Sequence, residues 1–437
     1  MKKTIFFIVT TTLLGSLSAC STNSKETTKE STSNSVTKVS SNKEAEHSVL
    51  KANSWFDENY QTLNNLIKEN GVDSKEYDAK NKPYAVFDWD NTTIFNDIGE
   101  ATFMFQIENL RFKMTPEELE NALKMNIPKD NFKDEWNNSD GNAVNIDKAT
   151  SDIVNDYKII EQSYEGMNGQ KKLTEIKETD EYKDFSTKIR YLYDAIGDTF
   201  SSDISYPWVT YLFTGMTTDE VQELTREAID HSLELPIEMV TLKSPESLKN
   251  EAGQVEVNVQ KGIRTIPEMQ NLYKTLMENG IDVYVCSASY IDVIIPFATE
   301  EKYGYQVPAD HIYAMRLVKE NDMIQTKFDT AYDQTQGDGK TKTIKKYIAE
   351  KHNNNGPILV AGDSAGDVAM LTDFGDMKVG LIFNRNKSGD IGELYKKTTE
   401  KQSTNQNYLL QGRDENSGKL IPEQASILFG KDKATLY

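Results

Sequence analysis

The sequence predicts an α/β fold: a parallel sheet covered on both faces by helices and interrupted, after its first strand, by a large and mainly helical insert. Three observations lead there. Short, mainly apolar runs at 84–87, 282–286, 357–361 and 378–383 have the length and composition of strands buried on both faces. Helical spacing precedes two of them, at 266–277 and 340–351, and strands that alternate with helices pair in parallel. Between about 95 and 260 the pattern changes, and apolar residues recur every three or four positions over several long stretches.

The elements follow in chain order. After Lys2 and Lys3 comes a mainly apolar stretch, 5–14, too short to span a bilayer, which takes about 20 residues. Leu17-Ser18-Ala19-Cys20 then resembles the lipobox of bacterial lipoproteins. The resemblance implies a signal peptide at 1–19, lipid on Cys20 and a position on the outer face of a membrane. Each acyl CH₂ that enters the bilayer contributes about 0.8 kcal/mol. From the lipidated Cys20 to about residue 50, small polar and charged residues predominate, which predicts a flexible tether. The sheet domain is expected at 51–94 and 261–437, with the insert at 95–260. Within the insert, helices are expected at 100–112, 116–125, 147–164, 181–200 and 221–233. The alternating runs 237–242 and 255–259 suit a hairpin, and 311–317 suits a further strand.

Composition narrows the function. A net charge of −20 argues against nucleic acid, whose phosphates require basic patches, and against a polybasic hold on anionic lipid. The chain has two cysteines, Cys20 and Cys286. With Cys20 lipidated, Cys286 has no intramolecular partner, and its apolar run predicts a buried, inert thiol.

Polar residues gather where the strands end, which is where open α/β sheets bind ligands. Asp88-Trp89-Asp90-Asn91-Thr92 follows the first strand, and Ser287 ends the second. Gly339-Lys340 opens a helix, and Gly362-Asp363-Ser364-Ala365-Gly366-Asp367 follows the third strand. Each alone is commonplace, since Asp-x-Asp also occurs in turns and calcium loops. In this order, each on its expected element, they resemble the haloacid dehalogenase superfamily of phosphatases. That family has a Rossmann-like core, and the insert lies where it places its type 1 cap domain. Asp88 to Thr92 match its Asp-x-Asp-x-Thr motif, and Gly362, Asp363 and Asp367 match its Gly-Asp-x-x-x-Asp motif.

The resemblance implies a small phosphate monoester as substrate and Mg²⁺ as cofactor. Asp88 would be the nucleophile that forms an aspartyl phosphate, and Asp90 the acid for the leaving alcohol, then the base for water. Ser287 and Lys340 would bind phosphoryl oxygens. Mg²⁺, which prefers hard oxygens, would be held by Asp88, Asp363 and the backbone carbonyl of Asp90. Thr92 completes the first motif. Asp367 would orient either Lys340 or a metal-bound water.

The insert would select the substrate. The run Tyr206-Pro207-Trp208-Val209-Thr210-Tyr211 is dense in aromatics. Tyr206, Trp208 and Tyr211 could receive a quaternary ammonium group by cation–π attraction, or pack a helix core. Asp97 and Glu100 could face a cationic leaving group, or be acids in the first turn of a helix. Asp88-Trp89-Asp90-Asn91-Thr92, Asp97-Ile98-Gly99-Glu100 and Leu212-Phe213-x-Gly215-Met216-Thr217 together are similar to exported phosphatases of the phosphorylcholine phosphatase type; phosphoserine phosphatases usually have a smaller cap. A surface lipoprotein that binds a phosphorylated ligand without turnover, and a phosphotransferase, are the competing readings. The anchoring expectation has a direct test: Cys20→Ala should lose fatty-acid label and leave the membrane fraction or retain its signal peptide, whereas Cys286→Ala should do neither.

Overall fold

The computed structural model describes residues 49–248, 250–400 and 407–437. The signal peptide, Cys20 and nearly all of the expected tether therefore lie outside the described residues. At the start of the described residues, Leu50 and Trp55 are buried in the core, and Lys51 donates its amide to Asn271.

Six parallel strands form the central sheet: β1 Tyr84–Phe87, β2 Asp282–Tyr290, β3 Ile312–Met315, β4 Leu359–Gly362, β5 Val379–Phe383 and β6 Asn407–Gln411. Their order across the sheet is β6-β5-β4-β1-β2-β3. Val86 of β1 sits between Val360 of β4 and Tyr284 of β2. Alternate side chains divide between two cores. Ala85 and Phe87 join the cluster that continues into the insert, while Tyr84, Val86 and the buried, free Cys286 join the one on the opposite face. This period of two explains why the strands read as unbroken apolar runs. The sixth strand, β6, was not expected, and the helix predicted at 340–351 is regular only over Asp338–Thr343 before it widens at Ile344–Ile348.

The insert departs after the short strand Ile94–Phe95 and returns through Arg264–Thr265, and these two strands pair antiparallel. Its main helices are Ile98–Glu108, Pro116–Lys124, Ile146–Ser163, Asp180–Thr199, Ser202–Thr210 and Thr218–Glu234. Capping explains several starts: Thr115 with Glu118 and Thr217 with Glu220 form reciprocal boxes, and Asn145 and Thr179 cap with their side chains. Helix Ser202–Thr210 was not predicted. The hairpin Glu238–Lys243 with Glu256–Lys261 forms as expected. A second hairpin, Leu317–Glu320 with Met323–Phe328, reaches from the sheet domain to the insert. There Gly215 donates its amide to Ile324, and Ile324 donates to Met216.

A buried charge network pins the insert internally. Lys188 Nζ lies 2.8 Å from Asp152 and 2.6 Å from Asp184. Asp152 also accepts the amides of Glu251 and Ala252, and Asp184 accepts from Asn250. Burial, reinforced by Asp184, pushes neighbouring Asp156 up to about 8, so it keeps its proton at neutral pH. Removing the one cation strands two buried carboxylates. Lys188→Met should therefore destabilise the protein by about 3–5 kcal/mol, read from urea unfolding.

Candidate active site

The strand order places the site. From β1 the chain builds to one side through β2 and β3, then crosses to β4 on the other side of β1. The crevice at such a reversal is where open α/β sheets bind ligands. Asp88 leaves β1 with its amide bonded to Ala361 of β4, and Asp363 leaves β4 beside it.

Between them stands Lys340, 2 % exposed. Its Nζ is 2.6 Å from Asp88 Oδ1 and 2.6 Å from Asp367 Oδ1. Burial alone would lower its basicity, but Asp367 and Asp88 hold it well above the usual lysine range. Asp367 Oδ2 accepts the amides of Asp363 and Ser364 and the Ser364 hydroxyl. Of the two roles open for Asp367, its contacts match the orientation of Lys340. Asp363 receives Thr92 Oγ1 at 2.9 Å and Arg385 Nη1 at 2.8 Å.

One carboxylate oxygen each from Asp88, Asp363 and Asp367 lie within 4.8 Å of one another. Burial, then Asp367, pushes Asp88 well above the usual carboxylate range against the pull of Lys340. Crowded hard oxygens of this kind could hold a divalent cation such as Mg²⁺.

Asp90 has a different setting. Its Oδ1 accepts the Ile98 amide at 2.7 Å, and its Oδ2 accepts the Ser289 hydroxyl at 2.7 Å. Burial outweighs both bonds and raises it to about 7. It can thus carry a proton at neutral pH.

Above the strand ends is a cavity of about 380 Å³, walled on one side by the insert. Asp88, Asp90, Lys340 and Asp363 all reach it. Ser287 is fully buried, and its Oγ accepts the Ser289 amide at 3.1 Å; Ala288 and Ser289 form the wall there. Ser289 was therefore missed, although it stands in the same Cys-Ser-Ala-Ser run. Arg385 was missed too, and its signal was its position just past the end of β5.

The substrate-side expectations divide. Tyr206 lines the cavity and is 38 % exposed. Trp208 does not line it: the ring is fully buried in the insert, packed edge-on against Phe103, and donates Nε1–H to Leu123. Tyr211 is buried as well, near Asn126 and Phe328. The reason is helical geometry, which turns neighbouring residues of one helix onto different faces. The aromatic wall is instead made by Phe103, Tyr193, Tyr206 and Phe213. Asp97 caps helix Ile98–Glu108 by accepting the Glu100 amide, yet it also faces the cavity. Burial and the nearby Asp90 and Glu100 hold it well above the usual carboxylate range. Glu100 lines the cavity too and is paired at 2.9 Å with Arg190, a cation it shares with Asp194.

An α/β core with this strand order, a carboxylate pair after β1, a buried lysine and an acidic loop after β4 defines a class, and the chain belongs to the haloacid dehalogenase superfamily. No family model matches it. A conserved functionally unknown protein from Anaerococcus prevotii is a relative of solved structure: 36 % identity, TM-score 0.82, with 86 % of this chain and 98 % of that one covered. Phosphorylcholine phosphatase of Pseudomonas aeruginosa is 27 % identical over 184 residues, 37 % of this chain and 49 % of that protein. The chain thus spans about half the length of this curated relative.

The cavity wall generates a pair of expected outcomes. Trp208→Ala should cost about 3–5 kcal/mol of stability, as a buried aromatic does, with no selective effect on one substrate. Tyr206→Ala should leave stability within about 1 kcal/mol and alter KM. Thermal or urea unfolding beside steady-state kinetics checks both.

Proposed function

We propose that this chain hydrolyses a small phosphate monoester, with Asp88 as nucleophile and a bound divalent cation, Mg²⁺ by its donor set. The observation that carries the reading is Lys340 held 2.6 Å from both Asp88 and Asp367, beside Asp363, on the floor of a cavity that Asp90 also faces. Mg²⁺ would be held by the carboxylates of Asp88 and Asp363 and the carbonyl of Asp90, and would supply positive charge to the phosphoryl oxygens.

Lys340 grips one oxygen of Asp88, and the other, with no hydrogen bond among the described residues, is left to attack phosphorus. The bond to the leaving alkoxide breaks as the new P–O bond to Asp88 forms, and Asp90 gives that alkoxide its proton. Asp90 then takes a proton from water as the water attacks the aspartyl phosphate, which frees inorganic phosphate and restores Asp88. Ser289, bonded to Asp90, keeps the acid aimed, and Lys340 offsets charge on the phosphoryl group, while Ser287, buried behind the wall, supports Ser289.

For the leaving group we favour an amino alcohol such as choline. Tyr193, Tyr206, Phe103 and Phe213 offer aromatic faces, and Asp97 and Asp203 are acids on the same wall. The Pseudomonas relative supports this choice by its name. A second reading, phosphoserine, draws on Arg385, a cation on the cavity wall, although its Nη1 is engaged by Asp363. Export and lipid anchoring through Cys20 complete the proposal and would bring the enzyme to substrates outside the cell.

Asp88→Asn should lower kcat by several orders of magnitude with the fold intact, because an amide cannot attack phosphorus. Activity should vanish with a chelator, return with Mg²⁺, and need more Mg²⁺ in Asp363→Ala. Near-normal turnover by Asp88→Asn, or chelator-insensitive hydrolysis, counts against the mechanism. A kcat/KM for phosphorylcholine below that for phosphoserine removes the amino-alcohol reading and leaves the phosphatase one.

A further inference from the structure

The last strands of the chain form a small four-stranded sheet of their own, built from Arg413–Asp414, Lys419–Leu420, Ser426–Ile427 and Ala434–Thr435. Nothing in the motif pattern assigns it a role. Its most unusual residue is Arg413, a guanidinium only 2 % exposed. A charge is expensive to bury and is retained where its contacts demand it.

Those contacts converge on the reacting loop. Arg413 Nη1 donates to the backbone carbonyl of Asn91 and Nη2 to its side-chain oxygen, both at 3.2 Å. Asn91 directly follows Asp90, and its backbone is in the left-handed region, with φ +59. Asn tolerates this region better than other non-glycine residues, and its contacts here hold it there. Arg413 supplies two of the restraints, and the Asn91 amide, bonded to Asn96, supplies another. The guanidinium also lies over the ring of Phe95, 4.8 Å from its centroid, in the strand by which the insert departs. Glu415, at 2.9 Å, balances its charge.

The rest of the small sheet reaches the same two places. Gly418, with φ +70, turns so close to the insert's two connections that a Cβ there would stand 2.8 Å from Arg264 and 3.0 Å from Phe95. Ser426 accepts the Arg413 amide and donates to the carbonyl of Asn384, and the Asn384 side chain donates to Gln424 and Leu436. Asn384 is next to Arg385, which holds Asp363.

We propose that the C-terminal sheet is a clamp on the active site, in which Arg413 is a positioning residue that fixes the loop bearing Asp88 and Asp90 relative to the insert. It touches no substrate; it acts through Asn91 and Phe95. Its kinetic arm rests on the phosphatase reading above, and its structural arm does not.

The test uses purified full-length protein, with Arg413→Met, Arg413→Lys and Gly418→Ala. Hydrogen exchange is followed over 88–97, and hydrolysis of p-nitrophenyl phosphate is measured with Mg²⁺. In Arg413→Met, exchange at 91–97 should quicken while the strands of the large sheet stay protected as in wild type. Displacement of reacting groups by about 1 Å costs about 100-fold in rate, so kcat should fall by about that factor with KM within about twofold. Arg413→Lys should recover part of the loss, and Gly418→Ala should act in the same direction. If Arg413→Met fails to fold, the other two variants carry the test. Unchanged exchange at 91–97 in the folded variants overturns the clamp, as does unchanged kcat, or a rise in KM alone, where the wild type is active. A wild type without hydrolysis removes the phosphatase reading, and the exchange measurements then decide the clamp by themselves.

Discussion

The structure of the site depends on one buried cation shared by two carboxylates. Taking an ammonium and two carboxylates out of water costs several kcal/mol per ion, and only close, complete pairing offsets it. Lys340 achieves this with 2.6 Å contacts to Asp88 and Asp367. The requirement propagates outward. Asp88 must end β1, Asp367 must follow β4, and the helix Asp338–Thr343 must point its Lys340 between them. The second oxygen of Asp367 ties down the loop of Asp363, so the lysine also orders the acid that Thr92 and Arg385 hold from the other side.

Around this pairing the protein separates two kinds of acid. Asp88 is bonded to a lysine and crowded by other carboxylates. Asp90, two residues on, is bonded only to a hydroxyl and an amide, and burial brings it up to about 7. Two carboxyl groups with different partners can do different work, one as a nucleophile and one as a proton carrier. Asp90's partners come from different domains, Ser289 from β2 and Ile98 from the first helix of the insert. The insert therefore helps position the acid as well as walling the cavity, and the apolar core it shares with the sheet holds it there.

Much of this was legible in the sequence. Strands at 84–87, 282–286, 357–361 and 378–383 were recognisable because burial on both faces leaves no polar interruption. Asp88, Asp90, Lys340 and Asp363 each stand at a strand end or helix start, and it was their order along the chain, through the family resemblance it carries, that singled them out. Ser289 was passed over because only its distance from Asp90 distinguishes it from Ser287. Arg385 and Arg413 were passed over because their partners, Asp363 and Asn91, are far away in sequence. Trp208 stayed open between cage and core because an aromatic run shows that rings are present without showing which of them face inward.

Pattern along the chain was enough for four of the six sheet strands, most helices of the large insert and the chemical character of the strand ends. Those follow from periodicity and from neighbouring residues, which act over a few positions. The tertiary structure decided the strand order that brings β1 beside β4, and the aromatic rings that line the cavity. It also decided that Asp97 and Glu100 both face the cavity, Glu100 with Arg190 as its partner. Those outcomes turn on distances of a few ångströms between residues remote in the chain, where electrostatic pairing and close packing act and local pattern has no reach.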